Sequence, residues 1–255
     1  MVAKIWIGTS GYNYSHWGNG IFYPSGLARN KWLQHYLKYF STTELNVTFY
    51  RLPSEKSFSS WYERTPNDFL FAIKGSRFIT HVKRLKEPED SLKLFFDRAR
   101  LLRSKLGVIL WQLPPRFRID LERLEYFVRQ LAAHPYRNAF EFREKSWFCK
   151  EVFTLLKRYN MALCQADYPG LEVRVPRTAD FVYIRRHGSQ RLYTSCYTEK
   201  ELRRDRDRIR KVTRESRDIF VYFNNDAEGY AVQNASTLMR FLGVNDKKCV
   251  HVPCR

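Results

Sequence analysis

The chain has 255 residues, with 45 Lys and Arg against 26 Asp and Glu, and a formal charge of +19. This length supports one large core and no Pro/Ser/Gly-rich linker divides it, so a single domain over 1–255 is expected, with a loose tail at 244–255. The opening run at 1–8 is too short for a signal core or a membrane span, which argues against a membrane protein and for a cytoplasmic one.

Eight extended apolar segments follow one another at 4–8, 43–50, 69–74, 107–112, 139–143, 161–167, 180–187 and 219–226, most closing on a polar residue. Helical periods separate them, and strands alternating with helices predict parallel βαβ units. Val108-Ile109-Leu110-Trp111 and Ile219-Phe220-Val221-Tyr222-Phe223 are continuously apolar, as strands covered on both faces are. Eight such units fit a (β/α)8 TIM barrel of roughly 250 residues. The helical stripes are Trp32/Leu33/Tyr36/Leu37/Phe40, Leu92/Phe95/Phe96/Ala99/Leu102, Leu121/Leu124/Phe127/Val128/Leu131, Val152/Phe153/Leu155/Leu156/Tyr159 and Ala235/Leu238/Met239/Leu242. Capping or acidic residues open three helices, at Ser54, Pro88-Glu89-Asp90 and Asp120. The unit after the sixth strand is degenerate, since 169–179 holds a turn and an irregular stretch but no full helix.

Side chains two apart on a strand share a face, so the polar tips converge on the carboxyl-end mouth where barrels of this type carry their chemistry. Glu44, Asn46 and Thr48 share a face on strand two. Lys74 ends strand three and Gln112 strand four, Glu141 and Arg143 share a face on strand five, and Gln165 and Asp167 on strand six. Arg185 and His187 do so on strand seven, as do Tyr222, Asn224 and Asp226 on strand eight. Ionised groups at such depth must pair with each other, with water or with a ligand. A self-satisfied network such as Glu44–Lys74 and Glu141–Arg143 would plug the mouth. As a site, the mouth has Glu44, Glu141 and Asp167 as acids and bases, and Lys74, Arg143 and Arg185 for an anionic group. Gln112, Asn224 and Asn225 would orient a polar substrate, and His187 would shuttle a proton or act as a strut. Of six histidines only His81 and His187 closely follow strands. Tyr12, Tyr14, Trp17, Phe22 and Tyr23 follow strand one and either seal the barrel or stack on a ligand, with Tyr14, His16 and Trp17 the stronger contact candidates.

The excess positive charge makes DNA or RNA a serious partner, although Glu199/Arg203 and Asp207/Lys211 are spaced for self-pairing on a helix. Lys83-Arg84-Leu85-Lys86, Arg116-Phe117-Arg118 and Arg185-Arg186-His187 lie at the site-bearing rim. Five scattered cysteines are expected reduced, and Cys249, His251 and Cys254 lack paired zinc spacing. No phosphate-binding glycine loop, zinc-protease helix, nucleophile elbow or dinucleotide fingerprint is present, so no cofactor is assigned. A single metal on Glu44, Glu141 and Asp167 has nothing further in its favour.

The motifs Ile7-Gly8-Thr9-Ser10-Gly11-Tyr12, Phe22-Tyr23-Pro24, Glu44-Leu45-Asn46-Val47-Thr48-Phe49-Tyr50-Arg51-Leu52-Pro53 and Ile79-Thr80-His81 resemble the YecE-like family, also called domain of unknown function 72. Gln112-Leu113-Pro114-Pro115, Glu141-Phe142-Arg143 with Ser146-Trp147, Arg185 with His187-Gly188, and Tyr222-Phe223-Asn224-Asn225-Asp226 with Gly229 and Asn234-Ala235 continue the likeness along nearly the whole chain. The resemblance implies a TIM barrel in the neighbourhood of the xylose isomerase and endonuclease IV barrels, with no settled activity. The histidine-rich metal centre of those endonucleases has no counterpart in this sequence. Two functions are carried forward: nucleic-acid binding with nuclease-like hydrolysis or damaged-base processing, and a metal-free enzyme for a small anionic or sugar-like metabolite.

Overall fold

The computed structural model describes residues 3–168, 171 and 175–244. Among the described residues nine strands occur, with helices between all but β6, β7 and β8: β1 (Lys4–Thr9), β2 (Thr42–Leu45), β3 (Leu70–Lys74), β4 (Leu106–Gln112), β5 (Asn138–Glu141), β6 (Ala162–Leu163), β7 (Gln165–Ala166), β8 (Phe181–Arg186) and β9 (Asp218–Phe223). The helices are α1 (Trp32–Tyr36), α2 (Val47–Tyr50), α3 (Glu55–Glu63), α4 (Glu89–Ala99), α5 (Leu121–Ala132), α6 (Lys150–Arg158), α7 (Glu199–Val212) and α8 (Tyr230–Leu242). The strands form a four-stranded sheet in the order β1-β9-β8-β7 and a five-stranded sheet in the order β2-β3-β4-β5-β6. The pairs β1/β9, β3/β4, β4/β5 and β5/β6 are all parallel, as the alternation requires.

The chain divides into two compact units. The first draws on 1–44, 166–170 and 184–255, the second on 45–165 and 171–183. In the first, α8 buries Ala235, Leu238 and Met239 and stops at Gly243, whose φ of 68° is the left-handed conformation glycine adopts without penalty. Thr198 and Glu201 form a reciprocal capping box that starts α7. In the second, Leu92, Phe95, Phe96 and Ala99 of α4 and Leu124, Phe127, Val128 and Leu131 of α5 are buried. Ser54 and Asp120 cap α3 and α5 through their side chains. Trp111 of β4 lies across Gly75, where a Cβ would collide with the indole ring, so the end of β3 needs a glycine for this close approach.

Several expected boundaries are corrected. The strand expected at 43–50 is β2 followed by α2, so Asn46 and Thr48 do not share a strand face with Glu44. The cause is local: the Thr48 hydroxyl reaches the Leu45 carbonyl at 2.8 Å and the Lys74 carbonyl at 2.6 Å, and this side-chain bonding turns the chain despite its β-branched and aromatic residues. The strand expected at 161–167 is split at Cys164, because β6 pairs with β5 whereas β7 pairs with β8. The tips Arg143, His187, Asn224 and Asn225 lie just beyond their strands rather than on them. No described residue between Ala166 and Phe181 is helical, in keeping with a degenerate unit there. Cys149 and Cys164 are free thiols, but Cys196 is disulfide-bonded, correcting the expectation of reduced thiols; spacing along a chain does not reveal which sulfurs meet. Cys249, His251 and Cys254 and most of the tail lie outside the described residues. Among those residues no helix is long and apolar enough to cross a membrane.

Candidate functional site

In the first unit the alternation of β8 sends neighbouring arginines to opposite sides. Arg185 Nη2 donates to Glu44 Oε1 at 2.7 Å, and both side chains are completely buried. Arg186 Nε donates to Asp205 Oδ2 at 2.7 Å, and a second guanidinium nitrogen reaches Oδ1. Burial alone would lower the Arg186 pKa, but Asp205 and Asp167 outweigh it and hold the guanidinium charged. Asp167 accepts from the His187 backbone N–H at 2.7 Å and from the Tyr197 hydroxyl. Burial first, then the Asp167 charge, pushes the Tyr197 phenol well above its ordinary pKa, so it stays a donor. Asn224 Nδ2 donates to His187 Nδ1 at 3.0 Å. Asn225 Nδ2 donates to the Ser195 carbonyl at 2.9 Å and to Asn234 Oδ1 at 2.8 Å.

The aromatic residues after β1 mostly pack on one another. Trp17 is fully buried and donates through Nε1 to the Asp226 carbonyl at 2.7 Å, Tyr23 stacks on Trp32 with centroids 4.4 Å apart, and half-exposed Tyr12 leans on Tyr36 at 6.0 Å. His16 reaches Asp226 Oδ2 at 3.2 Å, and burial raises the Asp226 pKa.

The second unit gathers a different group. Arg143 Nε donates to buried Glu141 Oε1 at 2.6 Å, and buried Lys74 places Nζ 4.1 Å from the centre of the Phe49 ring. His81 also packs on Phe49, edge-on, with ring centres 4.9 Å apart. His81 sits in a π-helical turn, Phe78–Val82, a wide turn that recurs at functional positions. Burial, then the charges of Lys74, Arg77, Arg143 and Arg84, lower its pKa from 6.5 to about 4, so the imidazole is neutral at physiological pH. The Thr80 hydroxyl donates to the Ser76 carbonyl at 3.1 Å and lies 2.9 Å from His81 Nδ1. Either Thr80 or Nδ1–H can be the donor of that second bond, and the ring tautomer follows from which it is. Arg84, Leu85 and Glu87 have φ of 49°, 66° and 40°, a strained run for non-glycine residues. It is held by buried Leu85, whose N–H reaches the Ile79 carbonyl at 3.0 Å, and by Lys83 Nζ on the Glu87 carbonyl at 2.6 Å. Buried Gln112 donates to the Leu113 carbonyl at 3.4 Å, and Asn46 occupies the N-cap position of α2.

Of the candidates expected from sequence, the first unit brings together Glu44 with Arg185, Asp167 and Asn224 with His187, and Asn225 with Asn234, and the second brings Glu141 together with Arg143 and places Lys74 and His81 against Phe49. Among the described residues no three His, Cys, Asp or Glu side chains converge as metal ligands. Sequence reasoning did not single out Arg77, Asp205 or Tyr197, and named Asn234 only within a motif of the family resemblance. Arg77 and Arg84 had a signal, the density of cations directly after β3; Tyr197 had none, because its partner Asp167 is 30 residues away.

The family model described as "Protein of unknown function DUF72" matches residues 6–254. The UPF0759 protein YunF of Bacillus subtilis is 27% identical, covering 94% of this chain and 95% of its own length. The UPF0759 protein YecE of Escherichia coli is 30% identical over 119 residues, 46% of this chain and 43% of its own. Among solved structures, a DUF72 family protein from Thermotoga maritima superposes with a TM-score of 0.83 at 29% identity, covering 94% of this chain and 99% of that one. Another from Enterococcus faecalis gives 0.80 at 20% identity, covering 96% and 100%, a likeness of fold alone.

Proposed function

The chain belongs to the DUF72 family, and from that premise we propose that the cations around His81 bind a phosphate-bearing ligand, with nucleic acid the favoured one. The observation that carries this reading is the packing of Lys74 and His81 on one ring, Lys74 Nζ 4.1 Å and the imidazole 4.9 Å from the centre of Phe49, with the charges of Arg77, Arg84 and Arg143 also felt at the imidazole. Cations gathered near one ring raise the local positive potential, which favours an anion there. Of the four, Arg143 is offset by Glu141, whereas Arg77 and Arg84 are exposed on the surface. The neutral imidazole of His81 accepts a hydrogen bond from a hydroxyl or water beside the phosphate. A bound phosphate would raise the His81 pKa and make it a better base for phosphodiester hydrolysis. Nucleic acid ranks above a small anionic metabolite because of the +19 charge. We also infer that the two sheets are parts of one eight-unit (β/α)8 barrel within a single domain. Supporting this, Thr43 Oγ1 of β2 donates to the Thr9 carbonyl of β1 at 3.1 Å, and β6 and β7 are separated by Cys164 alone.

The test is anisotropy titration of labelled single-stranded, duplex and abasic DNA across a range of salt, with Arg77→Ala, Arg84→Ala and Arg143→Ala beside wild type. Arg77 and Arg84 are exposed and lie outside the buried Glu141 pair, and circular dichroism of each variant checks that the fold is kept. Each should weaken binding and reduce the slope of log affinity against log salt by about one. Affinity that ignores salt, or is unchanged in all three variants, would reject nucleic acid at this site; thermal stabilisation by inorganic phosphate, lost in Arg143→Ala, would then support the metabolite.

A further inference from the structure

The two turns that frame the His81 cluster carry the greatest concentration of exposed apolar side chains among the described residues. Eight large apolar side chains are exposed there, and four of them belong to these turns: Val47 at 46% and Tyr50 at 77% in α2, Phe78 at 51% and Val82 at 58% in the π-helical turn. Nothing in the core needs these residues. Phe49, between Val47 and Tyr50 in chain order, is the buried anchor of α2, just as Ile79 and Thr80 are the buried residues of the π-helical turn. The turns therefore hold on through their inner residues and present the others outward.

The rings are linked. Tyr50 packs edge-on to Phe49 at 5.1 Å between centroids, and Phe49 packs edge-on to His81 at 4.9 Å. Cations are interleaved with them: Lys74 over Phe49 at 4.1 Å, Lys83 over Phe78 at 5.7 Å, and Arg51, Arg77 and Arg84 exposed in the adjoining sequence. An apolar protein partner or a second copy of this +19 chain would bring its own apolar face against these cations and strip them of water without neutralising them. A strand of nucleic acid satisfies both components, because its bases stack on rings while its phosphates meet the cations. A duplex keeps its bases stacked on each other and offers the rings nothing.

We infer that Tyr50 and Phe78 are base-stacking platforms and that the preferred ligand is single-stranded nucleic acid; this rests on the phosphate-binding reading of the same cluster. Val47 and Val82 widen the apolar surface beside each ring, and the His81 cluster receives a backbone phosphate between the bases.

The test compares Tyr50→Ala, Phe78→Ala and the conservative Tyr50→Phe against Arg84→Ala, using a labelled mixed-sequence single strand and its duplex. All three sites are exposed, so circular dichroism and melting should match wild type. The alanine variants at the rings should each weaken single-strand binding by about ten- to a hundredfold with the salt slope unchanged, and Tyr50→Phe should restore it. Duplex affinity should be lower and indifferent to the ring substitutions. If both ring variants bind as wild type while Arg84→Ala still lowers the salt slope, or if duplex binds as tightly as single strand, the stacking inference is wrong and the phosphate site stands. Binding that ignores both salt and Arg84→Ala overturns the site itself. A wild-type dimer that Tyr50→Ala converts to monomer in sedimentation would reassign the surface to self-association.

Discussion

His81 is a histidine whose surroundings withhold its proton. Burial, reinforced by Lys74, Arg77, Arg143 and Arg84, keeps the imidazole neutral down to about pH 4, whereas in the unfolded chain it takes a proton near its ordinary 6.5. Between those values the unfolded state binds the extra proton. The contribution of the neutral ring is therefore complete above pH 6.5 and is lost progressively as pH falls toward 4. Urea melts across this window should show wild type losing stability more steeply than His81→Gln, and equal losses in the two would mean that the cations do not act on the ring. Not every buried charge of the chain has this character. Arg185 and Arg186 are each matched to a carboxylate, and such matched groups hold the interior together without needing a ligand.

At the level of elements, helix stripes were legible because core contact imposes a 3.6-residue period: the stripes at 92–102 and 124–131 are buried as expected. Parallel strands were legible for the same reason, through their continuous apolar runs. What escaped was decided by single polar contacts. Thr48 converts a β-prone sequence into α2, and the change of partner at Cys164 breaks one strand into β6 and β7. Both depend on residues remote in sequence, which no local pattern encodes. Gly75 belongs here as well, since it lets β3 pass beneath Trp111 immediately before the turn that carries Arg77 and His81. Gly75→Ala should displace the indole and cost about 1–3 kcal/mol in denaturant unfolding. It should also weaken anion binding at the His81 cluster, although residue 75 has no polar side chain to contribute.

On the scale of the molecule, the +19 charge acts as a field as well as through contacts. Glu199 pairs with Arg203 at 2.8 Å as the spacing suggested, while Asp207 takes Arg206 at 2.8 Å. Lys200, Arg204, Arg208 and Lys211 are exposed on the same helix, in the unit that does not contain His81. Replacing these four by Gln lowers the charge from +19 to +15. Stopped-flow measurements at low salt should then show slower association with nucleic acid and an unchanged dissociation rate, since the field steers encounter and the site sets residence. The candidate site was legible as a collection of polar residues near strand ends, but its grouping was not, because pairing is a three-dimensional property. The Glu44–Arg185 pair shows what such grouping means over evolutionary time. Its members lie 141 residues apart, and loss of either alone breaks a buried ion pair, at about 3–5 kcal/mol, whereas apolar replacement of both is close to neutral. The two positions are thus free to vary only in concert, and a lineage can leave this pair by exchanging both residues together or by passing through an ancestor stable enough to survive with one.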